Sequence, residues 1–169
     1  MKLTTRQLTL CAVLTALALA LSYTENLLPL SLAVPLPGVK LGLANIVTVF
    51  ALYQLGAGAA LAILLTRCLL GGLFAGNLSA MLFSVLGGLT AMLVMIFLRR
   101  LPKLSVYGVS IGGAAAHNIG QMAAAVITLG STMVLGYLPF LLAVSLFTGA
   151  LTGFITALLL RATRHIRFH

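Results

Sequence analysis

Long apolar stretches follow one another along nearly the whole chain. Proline, glycine and a few basic residues are almost all that separates them, and 62% of the 169 residues are hydrophobic while 7% are charged. Soluble domains carry about 25% charged residues and about 45 to 50% apolar ones, because their surface faces water. The sequence therefore predicts a chain whose surface faces lipid.

Turn signals divide the apolar sequence into predicted helices. Their boundaries fall at about residues 8–28, 39–55, 59–75, 78–98, 105–129 and 137–160. Prolines interrupt the chain between the first two helices, within residues 29–38, because proline lacks an amide proton and disfavours helix before it. The pattern predicts one all-α integral membrane domain over residues 1–169 with six transmembrane helices.

The first helix has features of a cleavable signal peptide, with a basic start and the small residues Ala18 and Ala20. The apolar run is long enough to span a membrane, and more such runs follow it. We therefore expect an uncleaved first helix.

The positions of the cations test the number of spans. If the N-terminus is cytoplasmic, eight of the ten Lys and Arg residues fall on the inner side: Lys2, Arg6, Arg99, Arg100, Lys103, Arg161, Arg164 and Arg167. This is the positive-inside asymmetry of membrane proteins. It predicts that both termini are cytoplasmic in a multi-pass protein of the bacterial cell membrane. It also accounts for most of the net charge of +9 without a nucleic-acid partner.

Acidic residues are almost missing, since Glu25 is the single one and the chain has no Asp. The sites of metal-dependent phosphoryl and prenyl transfer hold their cations with several carboxylates. Acid–base catalysis by a carboxylate pair needs two carboxylates. No phosphate-binding G-x-x-x-x-G-K-[ST] loop is present. Cys11 and Cys68 lie in apolar stretches without a metal-binding pattern. We expect no catalytic residue, no metal, no cofactor and no ATP hydrolysis by this chain alone.

Several polar residues share one depth in the predicted bundle. Counted at a rise of about 1.5 Å per residue, four of them lie about 10 Å below the outer ends of four different helices. These four are Asn45, Arg67, Ser84 and Gln121. His117 and Asn118 lie one turn deeper, and Glu25 and Lys40 lie nearer the outer surface. These eight residues are the candidate substrate-binding residues.

Arg67 is the strongest candidate, because a charge inside a span costs about 2.5 to 3.5 kcal/mol and usually faces a partner or a wet cavity. His117 and Gln121 are four residues apart and therefore share one helix edge. These side chains could line an outward-facing cup that takes an anionic or phosphorylated small molecule. Alternatively, they could bond one another across helices, with Glu25 neutralising Arg67 and Lys40 reaching lipid headgroups.

Small residues form two further stripes. Ala12, Ala16 and Ala20 recur every four residues on the first helix, and Gly108, Gly112, Ala116 and Gly120 do so on the fifth. Such stripes let another helix approach closely. The fifth-helix stripe suits internal packing, whereas periodicity alone leaves the alanine stripe open to an internal or an external partner.

With these residues placed, the chain resembles the Gx transporter family, also labelled heptaprenyl diphosphate synthase component I. The landmark is Pro-Gly-Val-Lys-Leu-Gly-Leu-Ala-Asn at residues 37–45. Supporting motifs are Arg67 with the Gly71 and Gly72 pair, Gly87 with Gly88, and Ala-His-Asn-Ile-Gly-Gln at residues 116–121. Members of this family look like substrate-binding S components of energy-coupling factor transporters.

The resemblance implies a six-helix bundle that holds a vitamin-like ligand beneath the loop after helix one. It also implies docking, through the alanine stripe, onto a transmembrane T component driven by two ATPases. The synthase label implies metal motifs rich in aspartate, which this chain cannot build. We therefore expect a binding subunit rather than an enzyme.

Two other functions remain open. A non-catalytic accessory of isoprenoid synthesis would use the same cations to present a prenyl diphosphate to a soluble enzyme, and would have a laterally open groove. A self-sufficient secondary carrier is the weaker alternative, because only Glu25 and His117 are suited to relay protons.

Overall fold

The computed structural model describes residues 5–27 and 42–165, and these residues are almost entirely helical. The helices are α1 (Thr5–Leu27), α2 (Leu43–Gln54), α3 (Ala57–Ala75), α4 (Leu78–Arg99), α5 (Val106–Leu129) and α6 (Leu138–Ala162). A short 3-10 helix, Thr132–Tyr137, connects α5 to α6. Within the described residues the all-α prediction and the order of six helices are confirmed.

Four segments among the described residues are long and apolar enough to cross a membrane: Thr5–Glu25, Ala57–Ala75, Leu78–Arg99 and Thr132–Ala162. They indicate a multi-pass membrane protein. The other two helices do not reach this length and apolarity, so six transmembrane helices stay a prediction. α2 has 12 residues, about 18 Å, and is shorter than a hydrocarbon core of about 30 Å. α5 has 24 residues, but His, Asn and Gln side chains lower its mean hydropathy.

The second helix begins later than the sequence predicted. Gly42 precedes α2 with a φ of 79°, in the left-handed region that interrupts a helix and favours glycine. Helix α2 therefore starts at Leu43 rather than at Val39. The proline-rich segment, Lys2, Lys40 and Arg167 lie outside the described residues.

Glycines bring α4, α5 and α6 into close contact. A Cβ atom on Gly120 of α5 would lie 2.6 Å from the Leu86 carbonyl oxygen of α4, and one on Gly149 of α6 would lie 2.6 Å from Ile111 Cα of α5. The Thr90 hydroxyl donates across the first of these contacts to the Ala116 carbonyl at 3.0 Å. The α5 stripe of small residues is therefore used for internal packing, as expected.

One face of helix α1 packs against α2 and α3. Cys11, Thr15 and Ala18 are buried on that face. Ala12, Ala16 and Ala20 lie off that face, and all three are exposed. The alanine stripe is thus left uncovered by the described helices.

Polar contacts join the helix ends at one end of the bundle. The Arg99 guanidinium donates to the carbonyl oxygens of Leu52 and Tyr53, and it lies 5.0 Å from the centre of the Tyr53 ring. Gln54 donates to the Thr163 hydroxyl at 3.2 Å. A cation at the carbonyl end of α2 is favoured by the helix dipole. We call this the cationic end, since Arg6, Arg99, Arg100, Lys103, Arg161 and Arg164 lie at helix ends or links there.

Candidate functional site

A small polar cavity of about 50 Å³ lies among the six helices. Seven of the eight predicted binding residues line it: Glu25, Asn45, Arg67, Ser84, His117, Asn118 and Gln121. Lys40, the eighth, lies outside the described residues. Counting depth along separate helices therefore correctly predicted which polar side chains meet. Their role in binding stays a prediction.

Arg67 is the central cation of the polar cavity. Its Nη2 donates to Asn45 Oδ1 at 3.1 Å, which joins α3 to α2. Its Nε atom is buried and has no hydrogen-bond partner among the described residues. A buried, unsatisfied donor on a cation is costly in a folded protein. The Nε–H group of Arg67 is therefore a candidate donor to a hydrogen-bond acceptor in the cavity.

Glu25 closes one side of the cavity by joining α1 to the start of α2. Its side chain is 4% exposed, and its Oε1 accepts a hydrogen bond from the Gly42 amide at 2.6 Å. A Cβ atom on Gly42 would lie 3.3 Å from Asn45 Nδ2 and 3.6 Å from Thr152 Oγ1. The glycine therefore serves the turn geometry and also leaves room beside two cavity residues.

Gly87 of α4 makes space for two polar side chains of α5. A Cβ atom on Gly87 would lie 2.9 Å from His117 Cε1 and 2.9 Å from Gln121 Cγ. Gly87 is itself buried. The glycine pair at residues 87 and 88, which the sequence offered as a weak motif, thus helps to position His117 and Gln121 beside the cavity.

Asn118 combines the two interpretations that the sequence left open. Its Nδ2 donates to the Leu141 carbonyl at 2.7 Å, which joins α5 to α6. The same residue lines the polar cavity. At Asn118, and at the Arg67 to Asn45 bond, polar side chains hold helices together and border an open volume at the same time.

The structure adds cavity residues that the sequence analysis did not name. They are Ser22, Gly42, Ala44, Ala114, Thr148 and Thr152. The hydroxyls of Thr148 and Thr152 donate to carbonyl oxygens one turn earlier in α6, at 3.3 and 2.8 Å. Their four-residue spacing places both on one face of a helix, and this was the available signal.

A second, larger cavity of about 560 Å³ lies between α1, α3 and α4. Most of its lining is apolar, and it includes Leu19, Gly71, Phe74, Ala75 and Ala80. Ser22, Arg67 and Ser84 line both cavities. We call the two volumes the polar cavity and the apolar cavity. They meet at Arg67.

The polar cavity provides hydrogen-bond donors and acceptors around one guanidinium. Within residues 5–27 and 42–165, no group of three or more His, Cys, Asp or Glu side chains is arranged to hold a metal ion. What the described arrangement can do chemically is bind and orient a small polar or anionic group.

Comparison with known proteins places the chain in one family. No curated protein and no solved structure matches it. A family model described as heptaprenyl diphosphate synthase component I matches residues 14–159, which include the seven described candidate residues as well as Ala16 and Ala20. The chain therefore belongs to the heptaprenyl diphosphate synthase component I family.

Proposed function

We propose that this protein is the substrate-binding membrane subunit of an energy-coupling factor type importer. Its ligand is a small anionic metabolite of the vitamin or cofactor class. The observation that carries the proposal is the polar cavity around Arg67, whose buried Nε lacks a hydrogen-bond partner among the described residues. His117 and Gln121 supply further hydrogen bonds to the ligand, and Asn45 orients the guanidinium.

The proposed partners are a transmembrane T component and two ATPases. The exposed stripe of Ala12, Ala16 and Ala20 supports this assignment, because small side chains form a flat surface on which another membrane helix can approach closely. The cationic end faces the cytoplasm of a bacterial cell in this proposal, in keeping with the positive-inside asymmetry. The polar cavity then lies nearer the outer face.

The protein acts by binding and not by catalysis in this proposal. Its only carboxylate, Glu25, is buried and accepts a hydrogen bond from the Gly42 amide. A single carboxylate held in this way is a poor basis for the metal clusters of prenyl transfer. The energy for import comes from the ATPases.

Native mass spectrometry of the purified full chain tests the binding role. We expect a co-purified small molecule on the wild-type protein and none on Arg67→Ala, because the variant loses the cation that binds the ligand. The Arg67→Lys variant retains charge and should retain part of the bound fraction. Equal occupancy in wild-type and Arg67→Ala protein, with unchanged elution on gel filtration, would contradict the site.

A second candidate function is favoured by the apolar cavity beside Arg67 and by the family description. In it, the protein is a non-catalytic accessory that holds a prenyl diphosphate for a soluble synthase. Affinity purification from the native membrane separates the two functions. Recovery of a T component with ATPases supports import, whereas recovery of a soluble prenyl synthase without them supports the accessory role.

A further inference from the structure

We infer that the ligand is a single-chain amphiphile whose compact anionic head binds Arg67 in the polar cavity and whose apolar chain lies in the apolar cavity. This inference rests on the proposed binding function and adds the chemical class and the orientation of the ligand. Arg67 carries the inference, because it lines both cavities and has a buried Nε without a partner in the described part of the chain.

The sizes of the two cavities divide the ligand into two parts. The polar cavity, at about 50 Å³, has room for about three to five water molecules, since each needs about 10 to 15 Å³. That volume suits a carboxylate or a single phosphate. Small-molecule sites usually measure about 300 to 1,000 Å³, and the apolar cavity, at about 560 Å³, lies in this range. The larger part of the ligand therefore belongs in the apolar cavity.

The lining of the apolar cavity suits a hydrocarbon chain. Arg67 is the only charged residue among the described residues that line it. On α3 and α4 the lining includes the small residues Gly71, Ala75 and Ala80, which leave room for a ligand. A Cβ atom on Gly71 would lie 3.6 Å from Leu19 Cδ2 across the cavity lining, which is an ordinary contact distance. A larger side chain at residue 71 would therefore occupy part of the apolar cavity. An apolar chain attached to an anionic head at Arg67 would bury its surface here.

The geometry also limits the head to one compact group. The Arg67 guanidinium already donates to Asn45 through Nη2, so its partnerless Nε among the described residues is the donor for one carboxylate or one monophosphate. A diphosphate has two phosphoryl groups and exceeds the volume of the polar cavity. The inference thus separates the ligand from the prenyl diphosphate of the accessory function.

A photoaffinity experiment on the full chain in phosphatidylcholine nanodiscs tests this inference. The probe is a ten-carbon carboxylate with a terminal diazirine, and its cross-links are mapped by peptide mass spectrometry. We expect saturable labelling of the α1, α3 and α4 residues that line the apolar cavity. Labelling should fall about tenfold or more in Arg67→Gln and with the uncharged methyl ester of the probe, because both remove the ionic hydrogen bond. A phosphate-headed probe of the same chain length identifies which head binds better.

Two exposed alanines provide a matched pair of variants. Ala80 lines the apolar cavity, whereas Ala143 is exposed on α6 away from it. Ala80→Phe should occupy part of the cavity and lower labelling about tenfold, while Ala143→Phe should leave it unchanged. Labelling by the methyl ester equal to that by the acid, or labelling unchanged in Arg67→Gln, would overturn the inference and identify the volume as a place for bulk lipid.

Failure of the amphiphile inference can be distinguished from failure of the proposed import function. If a co-purified small molecule disappears from Arg67→Ala while the photoprobe never labels the apolar cavity, the binding function stands and the amphiphile inference is wrong. If the probe labels as expected but the protein is recovered without T component or ATPases, the amphiphile inference stands and the import function is wrong.

Discussion

Two stripes of small residues, one on α1 and one on α5, have the same four-residue spacing, but the α1 stripe is exposed and the α5 stripe packs against another helix. On α5, Gly112, Ala116 and Gly120 pack against α4, and backbone atoms approach at Gly120. On α1, Ala12, Ala16 and Ala20 are exposed, because the residues that α1 buries near its middle are Cys11, Thr15 and Ala18. The spacing therefore predicts that a helix can approach closely, and the neighbours decide whether this chain supplies that helix.

The contrast extends to the candidate site. Helices α4, α5 and α6 are closely packed and hold His117, Asn118 and Gln121 beside the polar cavity. Helices α1 and α3 leave the apolar cavity between themselves and α4, and Arg67 lies where the two cavities meet. One part of the bundle is closely packed against itself, whereas α1 and α3 line a cavity and α1 carries an exposed stripe.

The largest effect is expected for Gly120→Leu. A side chain at residue 120 would meet the Leu86 carbonyl oxygen at 2.6 Å and Gly87 Cα at 2.9 Å, so the backbones of α4 and α5 must separate. We expect destabilisation by more than about 3 kcal/mol, since overpacking against backbone exceeds the usual range of 1 to 3 kcal/mol. Loss of the monodisperse gel-filtration peak and a lower Tm would show this. Ala123→Leu, at an exposed position of the same helix, should behave like wild type.

A smaller, partner-specific effect is expected for Ala16→Leu. The exposed leucine would roughen the flat face of α1 without touching a described neighbour. We expect an unchanged Tm and about tenfold lower recovery of the T component, equivalent to about 1.4 kcal/mol of binding free energy. Ala123→Leu, at an exposed position of α5 away from the stripe, is the control. A Tm lowered as strongly as in Gly120→Leu would mean that the alanine stripe packs internally.

The smallest effect is expected for Asn118→Ala, which removes the 2.7 Å bond to the Leu141 carbonyl. Interhelical hydrogen bonds in membranes average about 0.6 kcal/mol, so the free energy of unfolding should fall by about that amount. Unfolding in mixed detergent measures it. If ligand occupancy falls steeply while stability is unchanged, Asn118 belongs to ligand recognition more than to helix packing.

Local sequence signals predicted the order of the helices and several of their ends. The predicted ends at Ala75 and Leu129 are the observed ends of α3 and α5, because Gly76 and Gly130 follow with positive φ and stop the helices. The start of α2 was wrong because Gly42 adopts the left-handed conformation for the turn that Glu25 caps. The hydrogen bond from Gly42 to Glu25 joins residues seventeen positions apart, and the spacing of apolar residues along a helix does not predict such a contact.

The candidate site shows the same division. Depth along each helix correctly grouped Asn45, Arg67, Ser84 and Gln121, since depth depends only on helix ends and a constant rise. It did not identify Thr148 and Thr152, whose hydroxyls also satisfy carbonyl groups of their own helix. Nor did it predict the apolar cavity, which arises from how α1 lies against α3 and α4.

The sequence by itself determined the helices, the cationic end and the depth of the polar residues. Apolar length, turn residues and charge act locally and need no knowledge of neighbours. Only the tertiary structure decided which small-residue stripe is covered, which donor of Arg67 lacks a partner among the described residues, and that a polar and an apolar cavity meet at that side chain. Those properties depend on residues far apart in the sequence, and close packing alone brings them together.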